Sequence, residues 1–459
     1  MAEETVLAGT GLAQRVLMLL GIRSLFYNVF CFLDKTLRSW WITGWLPSWC
    51  PTSQSQLKEA EEKMLQYITS KFSRQFVHIS DKNLLWTLIF KGPMENKTPL
   101  VLLHGFGGGV GLWALNLDSL SQQRPVYAFD LLGFGQSSRP HFNTNAQEAE
   151  LQFVETIEQW REKLGLESMI MLGHNLGGYL AASYAITYPN RVKHLILVEP
   201  WGFPERPDPG DQDRPIPVWI KAIGAMLSPF NPLAGLRLAG PLGPTLVQTL
   251  RPDFKKKFAA VFNDNRVTEY IYHLNVQSPS GETAFKNMTI PYGWAKRPML
   301  QRIGLIHSDI PITVIYGSRS SIDGHSGNSI KEMRPNSHVE IIAIRGAGHY
   351  VYADQPEDFN QKILHICTAL ELCESNGEGG DAVLYGSSQH TAGGGLHTAL
   401  GRQGSVGLLG DQPGAYIRSN LLNSPFSHAD FSPSLSRLSI ALSALAEKTE
   451  MYSKHTDLQ

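Results

Sequence analysis

The segment Met169-Ile-Met-Leu-Gly-His-Asn-Leu-Gly-Gly178 runs from an apolar stretch through a tight turn into a helix start. Its centre, Gly173-His174-Asn175-Leu176-Gly177, has the G-x-S-x-G spacing of a nucleophile elbow. In such an elbow a sharp strand-to-helix turn lifts a serine hydroxyl clear of a sheet. Here the serine position holds Asn175. A carboxamide offers no proton whose removal leaves a useful oxygen nucleophile. The partners of the missing serine follow in the expected chain order. Asp323 comes after the apolar run ending at Tyr316, and His349 after the run ending at Ile344. Asp323 would orient His349 and fix its tautomer, and His349 would be the base. An oxyanion hole is expected from the backbone N–H of Leu176 and of Phe106, the latter in the loop His104-Gly-Phe-Gly-Gly-Gly109. No other serine lies in the elbow, so serine-hydrolase activity of ordinary rate is not expected.

A second pattern overlaps the histidine. His349-Tyr-Val-Tyr-Ala-Asp354 reads H-x4-D, the spacing found in glycerolipid acyltransferases. There the histidine activates an acceptor hydroxyl and the aspartate orients it, without an enzyme nucleophile. Asp354 also suits the cap of a helix opening at Gln355-Pro356, and that reading is preferred, although both roles can coexist. The 459 residues are 42% hydrophobic and 18% charged with net charge −1, which gives no support for nucleic-acid binding through bulk electrostatics. The four cysteines, Cys31, Cys50, Cys367 and Cys373, lack zinc-site spacing and suggest a reduced, cytosolic setting. No metal or resident cofactor is expected.

These groups need a scaffold that brings strand ends together. Strands are expected at 76–79, 85–90, 99–103, 126–130, 169–173, 192–198, 312–316 and 339–344. Most are continuous apolar runs, as buried parallel strands require. Helices are expected at 56–75, 146–164, 177–188 and 355–371. Residues 203–295 interrupt the alternation with proline and with helical stretches near 216–228 and 246–262, and read as a cap. The fold class is therefore α/β, an α/β-hydrolase fold over residues 56–372 with a helical cap inserted after the sixth strand.

The ends differ from this body. Residues 1–55 form an apolar tail in which Trp41, Trp45 and Trp49 share helical spacing, although Pro47 interrupts one regular helix. Tryptophan favours the wet edge of an apolar phase, so these three are expected to bind a lipid surface. Residues 16–33 are strongly apolar but broken by Arg23 and Asn28, and read as an interfacial segment. Residues 373–459, rich in glycine and serine, read as a low-complexity, disordered tail.

Several motifs together carry a resemblance over about residues 41–370. They are Trp45-Leu-Pro-Ser-Trp-Cys-Pro-Thr-Ser, Leu103-His-Gly-Phe-Gly-Gly-Gly, Phe129-Asp-Leu-Leu-Gly-Phe-Gly, Gly173-His-Asn-Leu-Gly-Gly, Glu199-Pro-Trp-Gly-Phe-Pro-Glu-Arg-Pro and Gly348-His-Tyr-Val-Tyr-Ala-Asp-Gln-Pro. The chain resembles the family of α/β-hydrolase-domain-containing protein five, the lipid-droplet co-activators of adipose triglyceride lipase. A paralogous branch keeps serine in the elbow, so Asn175 points to the co-activators. The resemblance implies docking to lipid droplets and perilipins from the cytoplasm, and activation of a patatin-like triacylglycerol lipase. It also implies an attributed lysophosphatidate acyltransferase activity resting on His349 and Asp354, with acyl-coenzyme A as co-substrate. In this context Arg319 and Gly348, beside the vacated site, are expected at the partner interface. Without it, Arg319 reads as a solvated loop charge and Gly348 as a turn glycine. Residues 1–40 and those after about 372 do not resemble the family.

Overall fold

The computed structural model describes residues 49–377 apart from 80–81, 94–95, 207–229 and 321–324. Asp323, Trp41, Trp45, the segment 16–33, the helical stretch near 216–228 and the tail beyond 377 lie outside the described residues. The chain divides into a unit ending at Leu370 and one beginning at Glu371, whose described part is the last turns of a helix.

Eight strands, β1 Ser73–His78, β2 Leu84–Phe90, β3 Leu100–Leu103, β4 Val126–Phe129, β5 Met169–His174, β6 Val192–Val198, β7 Ile312–Gly317 and β8 Val339–Ile344, form one sheet. Their order is β1-β2-β4-β3-β5-β6-β7-β8. β1–β2 and β2–β4 pair antiparallel, and every pairing from β4 to β8 is parallel. Side chains alternate between the faces of a pleated strand. Leu100 and Leu102 therefore enter one core, with Leu57, Met64, Phe359 and Ile363, while Val101 and Leu103 enter the other, with Phe153, Trp160, Leu180 and Ile330. Burial on both faces explains why these strands read as continuous apolar runs rather than alternating ones.

The helices that cover the sheet and cap it are α1 Gln54–Leu65, α2 Leu117–Leu120, α3 Ala146–Lys163, α4 Leu176–Thr187, α5 Ala234–Leu238, α6 Gly243–Leu250, α7 Pro252–Lys257, α8 Arg266–Asn275, α9 Gly281–Met288, α10 His325–Met333, α11 Val351–Asp354 and α12 Pro356–Gly377. The start of α3 follows its cap, since the Asn145 side chain accepts from the N–H of Gln147 and Glu148. Helices α5 to α9 lie between β6 and β7, which is the cap where the sequence places it.

Two helices are shorter than the sequence predicts. The helix expected at 56–75 ends at Leu65, because the Asp118 carboxylate takes the N–H groups of Thr69 and Ser70 and β1 begins at Ser73. The helix expected at 246–262 is two, α6 and α7, separated at Arg251 (φ −127°, ψ 55°), just before Pro252. Proline disfavours the helical region for the residue before it and opens a new helix well.

Candidate functional site

β3 is flanked by β4 on one side and β5 on the other, so the chain's progress across the sheet reverses there. Loops leaving the C-terminal ends of strands at such a point frame a crevice. The glycine loop after β3, the elbow after β5, the turn after β6 and the loop after β8 converge on it.

The elbow is built as its glycines predict. Asn175 sits at φ 51° and ψ −116°, a conformation few side chains adopt. A Cβ on Gly173 would lie 2.3 Å from Gly177 O, and one on Gly177 would lie 2.4 Å from Leu103 O. Both positions therefore admit only glycine. The backbone N–H of Asn175 bonds to Val198 O, and its own carbonyl accepts from Gly178, Tyr179 and Trp201. The side chain is thus aimed with little freedom.

Its carboxamide joins both halves of the expected machinery. Oδ1 accepts the Phe106 N–H at 3.3 Å, and Nδ2 lies 3.3 Å from His349 Nε2. Since Phe106 must donate, Oδ1 faces the glycine loop and Nδ2 donates to the histidine. The other ring nitrogen, Nδ1, lies 3.4 Å from Glu199 Oε2. A carboxylate only accepts, so Nδ1 carries the proton. The groups form a line from Glu199 through His349 and Asn175 to Phe106, with the amide standing where a serine hydroxyl and a substrate oxyanion would be held. Leu176, the second expected oxyanion donor, is buried as the first residue of α4.

The carboxylate on His349 in this geometry is Glu199, at the end of β6, a residue the triad reading passed over. The available signal was an acidic residue directly after an apolar strand run and before Pro200. Asp354 also departs from expectation. Its Oδ2 accepts the Gly348 N–H at 2.8 Å and its Oδ1 pairs with Lys257 of α7 at 2.5 Å. It neither caps α12 nor bonds His349. The H-x4-D aspartate instead fastens the loop before His349 to the cap.

Two further histidines support the site while staying neutral. Burial, then the neighbouring His349, holds His174 well below the ordinary imidazole range, and its Nε2 lies 3.0 Å from the His349 carbonyl. Burial lowers His104 to about 4, and its Nε2 accepts the Leu131 N–H at 3.0 Å. The cap steadies the glycine loop. Asn275 Nδ2 donates to Gly107 O at 2.9 Å, and the Tyr270 hydroxyl accepts the Gly111 N–H at 3.0 Å. Phe106 stacks on Phe285 of α9 at 4.4 Å.

Arg319 is exposed, and its guanidinium bonds the Gly346 carbonyl while its N–H bonds Ala347 O at 2.9 Å. It spans the loop leading to His349 rather than standing alone in solvent. Gly348 has no positive φ, and a Cβ there would meet only Asp354 Oδ2 at an ordinary 3.4 Å. The backbone does not demand glycine at this position. Trp49, 64% exposed, donates its indole N–H to Leu238 O of the cap at 3.2 Å. The Cys50 thiol donates to Arg237 O at 3.1 Å, Cys367 is buried, and no cluster of metal-ligating residues occurs among the described residues.

A mostly parallel sheet, an inserted cap and an elbow with its histidine define an α/β-hydrolase fold with an amide at the nucleophile position. Residues 98–356 match the model of the alpha/beta hydrolase fold family. The chain is 70% identical over 338 residues to the Pongo abelii protein named 1-acylglycerol-3-phosphate O-acyltransferase ABHD5, covering 74% of this chain and 97% of that protein. It is 55% identical over 332 residues to the Bos taurus (lyso)-N-acylphosphatidylethanolamine lipase, covering 72% and 97%. It is also similar to the crystal structure of a Bacillus subtilis carboxylesterase, with TM-score 0.49 and 17% identity, covering 68% of this chain and 96% of that one. The chain belongs to the alpha/beta hydrolase fold family and, within it, to the ABHD5 group.

Proposed function

We propose that this chain is a lipid-droplet-associated pseudo-hydrolase that activates a separate, patatin-like triacylglycerol lipase. The observation that supports this most is the Asn175 carboxamide, which engages the Phe106 N–H and His349 together. A site whose oxyanion donor and base are both bonded to the chain's own amide is poorly suited to ester hydrolysis. Arg319 bonds the loop that leads to His349, and Gly348 directly precedes His349 where the backbone does not demand glycine. They are the proposed lipase contacts. Trp41, Trp45 and Trp49 are the proposed anchor on the droplet surface, where perilipins are the expected docking partners.

A second reading is favoured by the name of the relatives, 1-acylglycerol-3-phosphate O-acyltransferase. In it His349 removes the proton of the lysophosphatidate hydroxyl as that oxygen attacks the thioester of acyl-coenzyme A; the ester C–O bond forms, the C–S bond breaks, and the coenzyme-A thiolate leaves and takes the proton from His349. His349 is part-exposed and its ring is held by a carboxylate, which suits a base. Asp354 would then support the loop rather than the imidazole.

One experiment separates the readings. Triacylglycerol hydrolysis by the purified lipase is followed with the native chain, His349→Ala and Arg319→Ala, and acyl transfer is assayed with each form alone. Co-activation that survives His349→Ala and fails with Arg319→Ala, with no acyl transfer from any form, is expected. Acyl transfer by the native chain that His349→Ala abolishes would establish the second reading.

A further inference from the structure

We propose that Glu199 is the positioning residue for His349, holding the imidazole through Nδ1 so that Nε2 faces position 175. Among the described residues two non-glycine residues adopt positive φ, Asn175 at 51° and Glu199 at 47°. They sit at the C-terminal ends of the neighbouring strands β5 and β6, and both bond the same imidazole. Backbone strain of this kind persists where the surroundings fix a residue for a task.

The Glu199 carboxylate is fully buried. Oε1 accepts the Gly317 N–H at 2.7 Å, and Oε2 accepts the Ser320 hydroxyl at 2.5 Å and His349 Nδ1 at 3.4 Å. Its own N–H bonds Ile315 O at 2.9 Å. Among the described residues no lysine or arginine pairs with it. A buried carboxylate kept for strength would be matched by a guanidinium, as Glu150 is by Arg297 and Arg302. Glu199 is instead held by neutral donors and spends its remaining lone pairs on an imidazole, which is the arrangement that selects a tautomer. The assignment stands whether or not the chain activates a lipase.

The decisive readout is the His349 tautomer in the full chain, from nitrogen–proton correlation spectra of histidine-labelled protein. The native chain should show the neutral Nδ1–H form. Because the Asn175 amide also donates to Nε2, the comparison is made in Asn175→Ala; adding Glu199→Gln there keeps the amide oxygen on the Gly317 N–H and turns the amide nitrogen to the ring, so the Nε2–H form should take over. Asp323→Asn, the competing arm, should leave the Nδ1–H form unchanged. An unchanged tautomer when Glu199→Gln is added to Asn175→Ala, or a changed one in Asp323→Asn, overturns the proposal. If Glu199→Gln does not fold, Glu199→Asp, which keeps the carboxylate but draws it back from Nδ1, supplies the same readout.

A second measurement reads the consequence. A fluorophosphonate should label Asn175→Ser. The serine Oγ–phosphorus bond forms, the phosphorus–fluorine bond breaks, fluoride leaves and the hydroxyl proton goes to His349 Nε2. Adding Glu199→Gln should slow labelling by roughly 10²–10⁴-fold, the scale on which loss of an orienting carboxylate acts. Adding Asp323→Asn should change it by less than about twofold, against that scale. Absence of labelling in Asn175→Ser, or equal loss from both variants, contradicts the assignment.

Discussion

At position 175 the side chain makes two hydrogen bonds from a strained backbone, and the two effects can be separated. Asn175→Ala removes both bonds and keeps a Cβ at φ 51°, so it should cost about 1–2 kcal/mol in urea unfolding. Asn175→Gly removes the same bonds but relieves the strain, and should be more stable than the alanine variant by about 1 kcal/mol. Equal stabilities would mean that the elbow holds no strain. The elbow was legible in the sequence because Gly173 and Gly177 are sterically obligatory and their spacing survives translation into letters. Glu199 was not legible as a site residue. What marks it out is its positive φ and its proximity to His349, and neither is written in a strand-end glutamate.

Between elements, the cap reaches the site through ion pairs and buried polar groups. Lys257 of α7 and Asp354 are each 13% exposed, and their bond ties the cap to the loop that carries His349. Lys257→Ala would leave a mostly buried carboxylate half-satisfied. A loss of roughly 2–3 kcal/mol is expected, below the full buried-pair value because some water reaches it. A double-mutant cycle with Asp354→Asn should show coupling, and additivity would mean the pair is not formed.

On the other flank, Glu61 of α1 accepts from Trp86 Nε1 and Gln136 Nε2 and lies beneath Tyr270 of α8. Burial, then the charge of Asp130, pushes Glu61 up to about 8. Its folded pKa is raised, so its contribution to stability is full below about 4.5 and is lost as pH rises towards about 8. The melting temperature of Glu61→Gln should therefore fall less than that of the native chain between pH 5 and about pH 8, the window set by that shift. A parallel fall in both would show that another group carries the dependence. The sequence revealed α1 and the cap but not these links, since pairs such as Lys257 and Asp354 lie far apart in the chain and meet only after folding. The same limit let periodicity run one helix through Pro252.

For the whole molecule, the eight described strands and the insertion point of the cap followed from apolar runs and chain order. Burial on both faces is what makes parallel strands read that way. The proposed lipid anchor belongs to this scale too. Trp49 is exposed and donates its indole N–H to the carbonyl of Leu238, which is itself exposed. Replacing Trp41, Trp45 and Trp49 by alanine should release the protein from droplets in a flotation assay. Undiminished flotation would move the anchor elsewhere.

In the proposed function, ester chemistry is done by a partner while this chain supplies a surface. Fatty-acid release from a triacylglycerol emulsion tests it most directly, measured for this chain alone, for the purified lipase alone and for the two together. Release at background for the chain alone, with the mixture several-fold above the lipase alone, is the predicted result. Release by the chain alone, or a mixture no faster than the lipase alone, would contradict it.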